Sequence, residues 1–170
     1  TVTVTPIADG VAGEGDETVV LTLTGGGAIG ASSNATVTIL DGVWYVSTTG
    51  SDANGGTNWA TAFLTVSNAV PQARDGDTIF VSNGTYDVAA SSPLSLTNAV
   101  TLLGVGGASN TFLRGPYPSV GRVLVLSNAN AVVDGFTITN GNLGPGGHLY
   151  GGGVYMSAGM VRNCTIAANR

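Results

Sequence analysis

Val133-Asp134-Gly135-Phe136-Thr137-Ile138 and Val161-Arg162-Asn163-Cys164-Thr165-Ile166 carry one pattern twice, 28 residues apart. In each, apolar side chains stand three and then two positions apart. Val100, Leu103 and Val105 repeat that spacing 33 residues before Val133. Recurrence at this interval marks a repeat architecture, in which one unit cannot bury its apolar side alone and stacks on its neighbours.

The internal spacing says how the unit is built. Strand side chains alternate with a period of two, so a step of three forces a bend if both flanking apolar residues are to point inward. Bends are expected near Leu102, Gly135 and Asn163. A coil that bends once per turn at the same place would stack Val100, Val133 and Val161 in one column. Leu103, Phe136 and Cys164 would form the next, and Val105, Ile138 and Ile166 a third, with turns about 4.8 Å apart. Upstream, Val66, Ala69, Val70 and Ala73 fall on one face of a short helix over 65–74, with Thr65 as its N-cap and Pro71 shortening or kinking it. Its apolar face would cover the open upper end of the coil.

Several segments occur in a recognisable order: WYVSTTGSDANGG at 44–56, NWATAF at 58–63, the short helix, DGDTIFVSNGTY at 75–86, VTLLGVGG at 100–107, DGFTITNG at 134–141 and GGGVY at 151–155. As a series they resemble the N-terminal portion of bacterial right-handed parallel β-helix proteins of the pectate-lyase-like superfamily. The resemblance covers residues 43–170.

Residues 1–41 read differently. Val2 and Val4, then Val19, Leu21 and Leu23, then Val37 and Ile39 alternate along three strands, which is part of a sandwich. The acidic loop from Asp9 through Glu14 to Thr18, with the closing strand that ends at Asp41, resembles the C-terminal half of a Calx-beta domain. That resemblance implies calcium bound by loop acids, and on this chain Asp9, Glu14 and Asp41 match the family's ligand positions. Oxygen ligands converging from several loops suit calcium. The match is incomplete at the end, where Gly42 and Val43 follow Asp41. Gly25-Gly26-Gly27-Ala28-Ile29-Gly30 satisfies a dinucleotide fingerprint, but a strand follows it where the required helix should open, so it reads as a loop.

The expected fold is therefore all-β: a partial sandwich over 1–41, then from 42 to 170 the capped beginning of a parallel β-helix solenoid. The chain is expected to be a fragment of a longer protein, since Thr1 opens directly into a strand pattern.

Composition narrows function more than it names it. Of the 170 residues 43% are hydrophobic and only 9% charged, with five arginines, no lysine, ten acids and a net charge of −5. Unclustered cations on an acidic chain argue against a nucleic-acid partner. No apolar run nears the roughly 18 residues of a membrane-spanning helix. Cys164 is the only cysteine, so no internal disulfide forms. The hydroxyl-, amide- and glycine-rich surface is of the kind common in secreted and cell-surface β-proteins.

Catalytic residues do not stand out. Asp134 and Arg162 occupy equivalent outward positions in adjacent copies and read as an ion pair worth at most about 1 kcal/mol. Carboxylates paired for glycoside hydrolysis are not visible. Tyr150, Tyr155 and Tyr117 are the aromatic candidates for stacking on sugar rings if exposed, with covering of the core as the alternative, and His148 lies in the glycine-rich loop beside Tyr150. Cys164 reads as packing, and Asn163 as a bend residue. The leading expectation is extracellular binding or adhesion to polysaccharide or another surface. The alternatives are a polysaccharide lyase or hydrolase with its catalytic coils beyond residue 170, and a structural spacer.

Overall fold

A computed structural model describes residues 17–22, 34–39, 42–144 and 151–170. The chain divides into two compact units, Thr1–Asp41 and Gly42–Arg170. In the first, β1 (Glu17–Thr22) pairs antiparallel with β2 (Asn34–Ile39). Val19 is opposite Val37 and Leu21 opposite Ala35, while Val20 is opposite Thr36. The strand expected at Val2–Val4 lies outside the described residues.

The second unit is mostly β, and its strands pair in parallel. They are β3 (Val43–Val46), β4 (Thr78–Val81), β5 (Gly84–Asp87), β6 (Leu94–Leu96), β7 (Thr101–Gly104), β8 (Thr111–Arg114), β9 (Leu124–Leu126), β10 (Val132–Asp134), β11 (Thr137–Thr139), β12 (Val154–Met156), β13 (Met160–Arg162) and β14 (Thr165–Ile166). A first sheet has the order β13-β10-β7-β4-β3, a second β14-β11-β8-β5, and a third β12-β9-β6. From β4 onward the chain visits first, second and third sheet in turn and then returns to the first.

Each visit adds a strand beside the one laid down on the previous visit, so residues of successive visits stack in rows. Ile79, Leu102 and Val133 form one row in the first sheet, Tyr86, Leu113 and Ile138 one in the second, and Leu94 and Leu124 one in the third. All eight are buried. A fully buried side chain of this size stabilises the fold by about 1.5–3 kcal/mol, so these rows carry the unit.

The later two copies of the motif stack as their spacing predicts: Val133 pairs with Val161 and Ile138 with Ile166. The step of three is made at Gly135 (φ +78°) and Asn163 (φ +50°), both in the left-handed region. A Cβ on Gly135 would lie 2.7 Å from the carbonyl oxygen of Gly104 in the preceding turn, so glycine is required there on two counts.

The first copy is displaced from its expected register. Leu102, not Val100, stands beside Val133, and Leu113, not Val105, beside Ile138. Leu103 pairs with Asp134 and so does not share a column with Phe136. Eleven residues separate Leu102 from Leu113 where five separate Val133 from Ile138, because a turn through Gly106 and Gly107 intervenes. Val105 starts that turn and is 55% exposed.

The helix is shorter than expected. Thr65 caps it as predicted, its Oγ1 accepting from Asn68 N at 3.2 Å, but α1 covers only Val66–Ala69 and passes into a 3-10 turn at Val70–Gln72. Pro71 has no N–H with which to continue the helical ladder. Val66, Ala69 and Ala73 are nonetheless buried in the core. The segment is fastened by Asp77, a nearly buried carboxylate that accepts from Arg74 N (2.9 Å), Gly42 N (3.1 Å) and the Trp44 indole Nε1 (2.8 Å).

A candidate binding face on the second sheet

Where Tyr86, Leu113 and Ile138 turn inward, the next residues turn outward. Asp87, Arg114 and Thr139 therefore form an external row across β5, β8 and β11. Asp87 and Arg114 are joined through two parallel hydrogen bonds, Nε to Oδ1 at 2.5 Å and the terminal nitrogen Nη2 to Oδ2 at 2.8 Å. Their side chains are 68% and 49% exposed, so the pair is available to solvent and to a ligand. The Arg114 hydrogen bonds hold the Asp87 carboxyl below the usual carboxylate range, and Asp87 in turn raises the guanidinium.

This row lies in a shallow trough. On one side of Asp87 is a depression of about 260 Å³ bounded by Thr48, Leu64, Thr65 and Thr85. On the other is one of about 380 Å³ bounded by Arg114, Pro116, Tyr117 and Asn140. Both include Asp87, which joins them.

Tyr117 is held by its backbone. Its N–H donates to Asn140 O at 3.1 Å, and the Asn142 amide donates to Pro118 O at 3.0 Å and Ser119 O at 3.3 Å. Asn140 adopts φ +61°, a conformation that asparagine tolerates better than most residues. The ring remains 48% exposed; the Arg170 guanidinium lies 4.8 Å from its centroid and donates to its hydroxyl at 3.3 Å. An exposed aromatic beside a planar ion pair and an amide presents apolar surface and directed hydrogen-bonding groups together.

Of the aromatic residues expected from sequence, Tyr117 lines the trough and Tyr155 does not. Tyr155 is on β12 at the edge of the third sheet, half-exposed, with the Arg122 guanidinium 5.1 Å from its ring centroid. His148 and Tyr150 lie outside the described residues, as do the side chains of Asp9, Glu14 and Asp41 on which calcium was expected. Among the described residues no group of three or more His, Cys, Asp or Glu side chains is placed to hold a metal ion.

The Asp134–Arg162 pair forms as expected, Nε to Oδ2 at 2.8 Å, on the outer side of the first sheet. Asn163 joins it, donating to Asp134 Oδ1 at 2.9 Å, so its partner is a side chain rather than backbone. Cys164 packs partly buried against the core, accepts from Phe136 N at 3.4 Å, and its thiol pKa is raised by burial.

Asp87 and Arg114 escape a motif search because they are 27 residues apart and pair only through the register of β5 with β8. The signal that could have found them is that 27 nearly equals the 28-residue repeat.

The model of the family described as a protein of unknown function, DUF1565, matches residues 48–170. The chain belongs to the DUF1565 family. The trough and the rows that support it lie within the DUF1565 match. No curated protein matches the chain. Among solved structures the DUF1565 chain is similar to one titled rhamnogalacturonan lyase, at 17% identity and a TM-score of 0.47, over 70% of this chain and 36% of that one. Among the described residues no helix is long and apolar enough to cross a membrane.

Proposed function

We propose that residues 42–170 form the capped start of a right-handed parallel β-helix in an extracellular protein, and that its second sheet binds polysaccharide. The cyclic passage of the chain through three parallel sheets supports the solenoid. The burial of Val66, Ala69 and Ala73 beside β3 supports the helical segment as its lid. The observation that carries the binding function is the trough itself: an exposed Tyr117 ring, a bidentate Asp87–Arg114 pair and Asn140 lie together where β5, β8 and β11 end. Shallow polar troughs with one aromatic wall suit an extended chain of sugar rings, which offer hydroxyls at their rims and C–H faces to an aromatic.

The test is affinity electrophoresis of the whole chain through gels containing soluble polysaccharides. Tyr117→Ala should weaken retardation about five- to tenfold, whereas Tyr155→Ala, outside the trough, should change it less than about twofold, one buried stacking contact corresponding to roughly 1–1.5 kcal/mol. Equal retardation of wild type and Tyr117→Ala, with unchanged circular dichroism, would refute the assignment.

A further inference from the structure

We infer that the polysaccharide bound by this trough is uncharged. The inference rests on the binding function proposed above and adds the ligand's chemical class. Its ground is the distribution of charge. Residues 42–170 contain five aspartates and five arginines, so the unit as a whole is neutral, and the chain's net −5 lies entirely in residues 1–41.

Within the trough the same cancellation occurs locally. Its one guanidinium, Arg114, is engaged by its one carboxylate, Asp87, through two hydrogen bonds. An acidic sugar approaching Arg114 would meet a cation already neutralised and, beside it, a carboxylate with most of its surface in water. That carboxylate stays ionised below the usual carboxylate range because Arg114 holds it there. The Arg170 guanidinium is engaged with the Tyr117 ring at 4.8 Å and donates to its hydroxyl at 3.3 Å, and it is not itself among the residues that bound the trough.

What the trough offers is uncharged or self-compensated chemistry. Thr48 and Thr85 bring exposed hydroxyls, Asn140 an amide, and Tyr117 an aromatic surface. The ion pair still has lone pairs on Asp87 and N–H groups on Arg114 beyond those used between them. A donor and an acceptor at fixed spacing match the vicinal hydroxyls of a neutral sugar.

The experiment compares retardation of the whole chain by xyloglucan, galactomannan and mixed-linkage β-glucan with retardation by polygalacturonate and alginate, at low and high salt. Retardation by at least one neutral polymer, changing by less than about twofold between the two salt conditions, is the expected result, because screening acts on charge pairs. Asp87→Asn should then create affinity for polygalacturonate at low salt by releasing the Arg114 charge. Retardation of the wild type chiefly by polygalacturonate or alginate, abolished by salt, would overturn the inference while leaving the binding function standing. No retardation by either class would overturn the binding function and the inference with it.

Discussion

Truncating Ile138 and Ile166 to alanine separately tests the stacked-row architecture with an internal control. The two residues share a type, a place in the repeat and a register position, since Leu113, Ile138 and Ile166 follow one another across β8, β11 and β14. They differ in their neighbours. Ile138 has a strand on each side and is fully buried, whereas Ile166 has a strand on one side and is 53% exposed. Ile138→Ala removes buried methyl groups and leaves a cavity closed above and below, a loss of about 3.5 kcal/mol. Ile166→Ala forfeits about half the transfer energy of an isoleucine and leaves no enclosed void, so about 1 kcal/mol. Val105→Ala should cost less than about 0.5 kcal/mol, as at ordinary surface positions, because Val105 lies in the turn and not in the row. The assay is urea unfolding followed by tryptophan emission, both tryptophans, Trp44 and Trp59, being in the second unit. Equal losses at Ile138 and Ile166, or a loss at Val105 comparable to that at Ile138, would refute the rows as described.

Other perturbations address the fastening of the upper end, the bend and the trough. Asp77→Ala leaves the N–H groups of Gly42, Arg74 and the Trp44 indole without their acceptor, which should cost about 2–4 kcal/mol and shift Trp44 emission, read in the same unfolding experiment. Gly135→Ala must hold a side chain at φ +78° against the Gly104 carbonyl, and a destabilisation of about 2 kcal/mol is expected; a change below about 0.5 kcal/mol would mean the bend lies elsewhere. Asp87 has a lowered folded-state pKa, so the stability it contributes is fully present above the unfolded carboxylate value of about 4 and is lost as pH falls through the lower folded value. Carboxyl NMR titration should show this midpoint returning toward the ordinary value in Arg114→Met.

How far the sequence disclosed these features depended on whether loop lengths stayed constant. Val133 to Val161 and Ile138 to Ile166 are both 28 residues, so the last two copies declared their register directly. The first copy misled because Val105 supplies an apolar residue at the right spacing by coincidence, while the true partner of Ile138 is Leu113, eight residues beyond Val105. Thr65 was legible as a cap because capping is local chemistry, and Pro71 was legible as a limit on the helix for the same reason. The Asp87–Arg114 pair was not, since neither residue belongs to a copy of the motif and their contact follows only from β5 pairing with β8. Tyr155 was legible as an exposed aromatic, yet nothing in its neighbours reveals that it lies on a different sheet from the trough.

The trough and the core are produced by one alternation, and this separates binding from stability. Tyr86, Leu113 and Ile138 hold the second sheet against the interior, while Asp87, Arg114 and Thr139, each one residue later, contribute little to that packing. Outward residues can thus carry ligand chemistry without weakening the rows beneath them. Tyr117→Ala should accordingly reduce polysaccharide binding while moving the unfolding midpoint by no more than a surface substitution does, about 0.5 kcal/mol. Ile138→Ala should show the opposite, a large loss of stability with binding retained below the new transition. Loss of stability and binding in equal measure at Tyr117 would show that the ring is part of the packing, and the trough would then lack its aromatic wall.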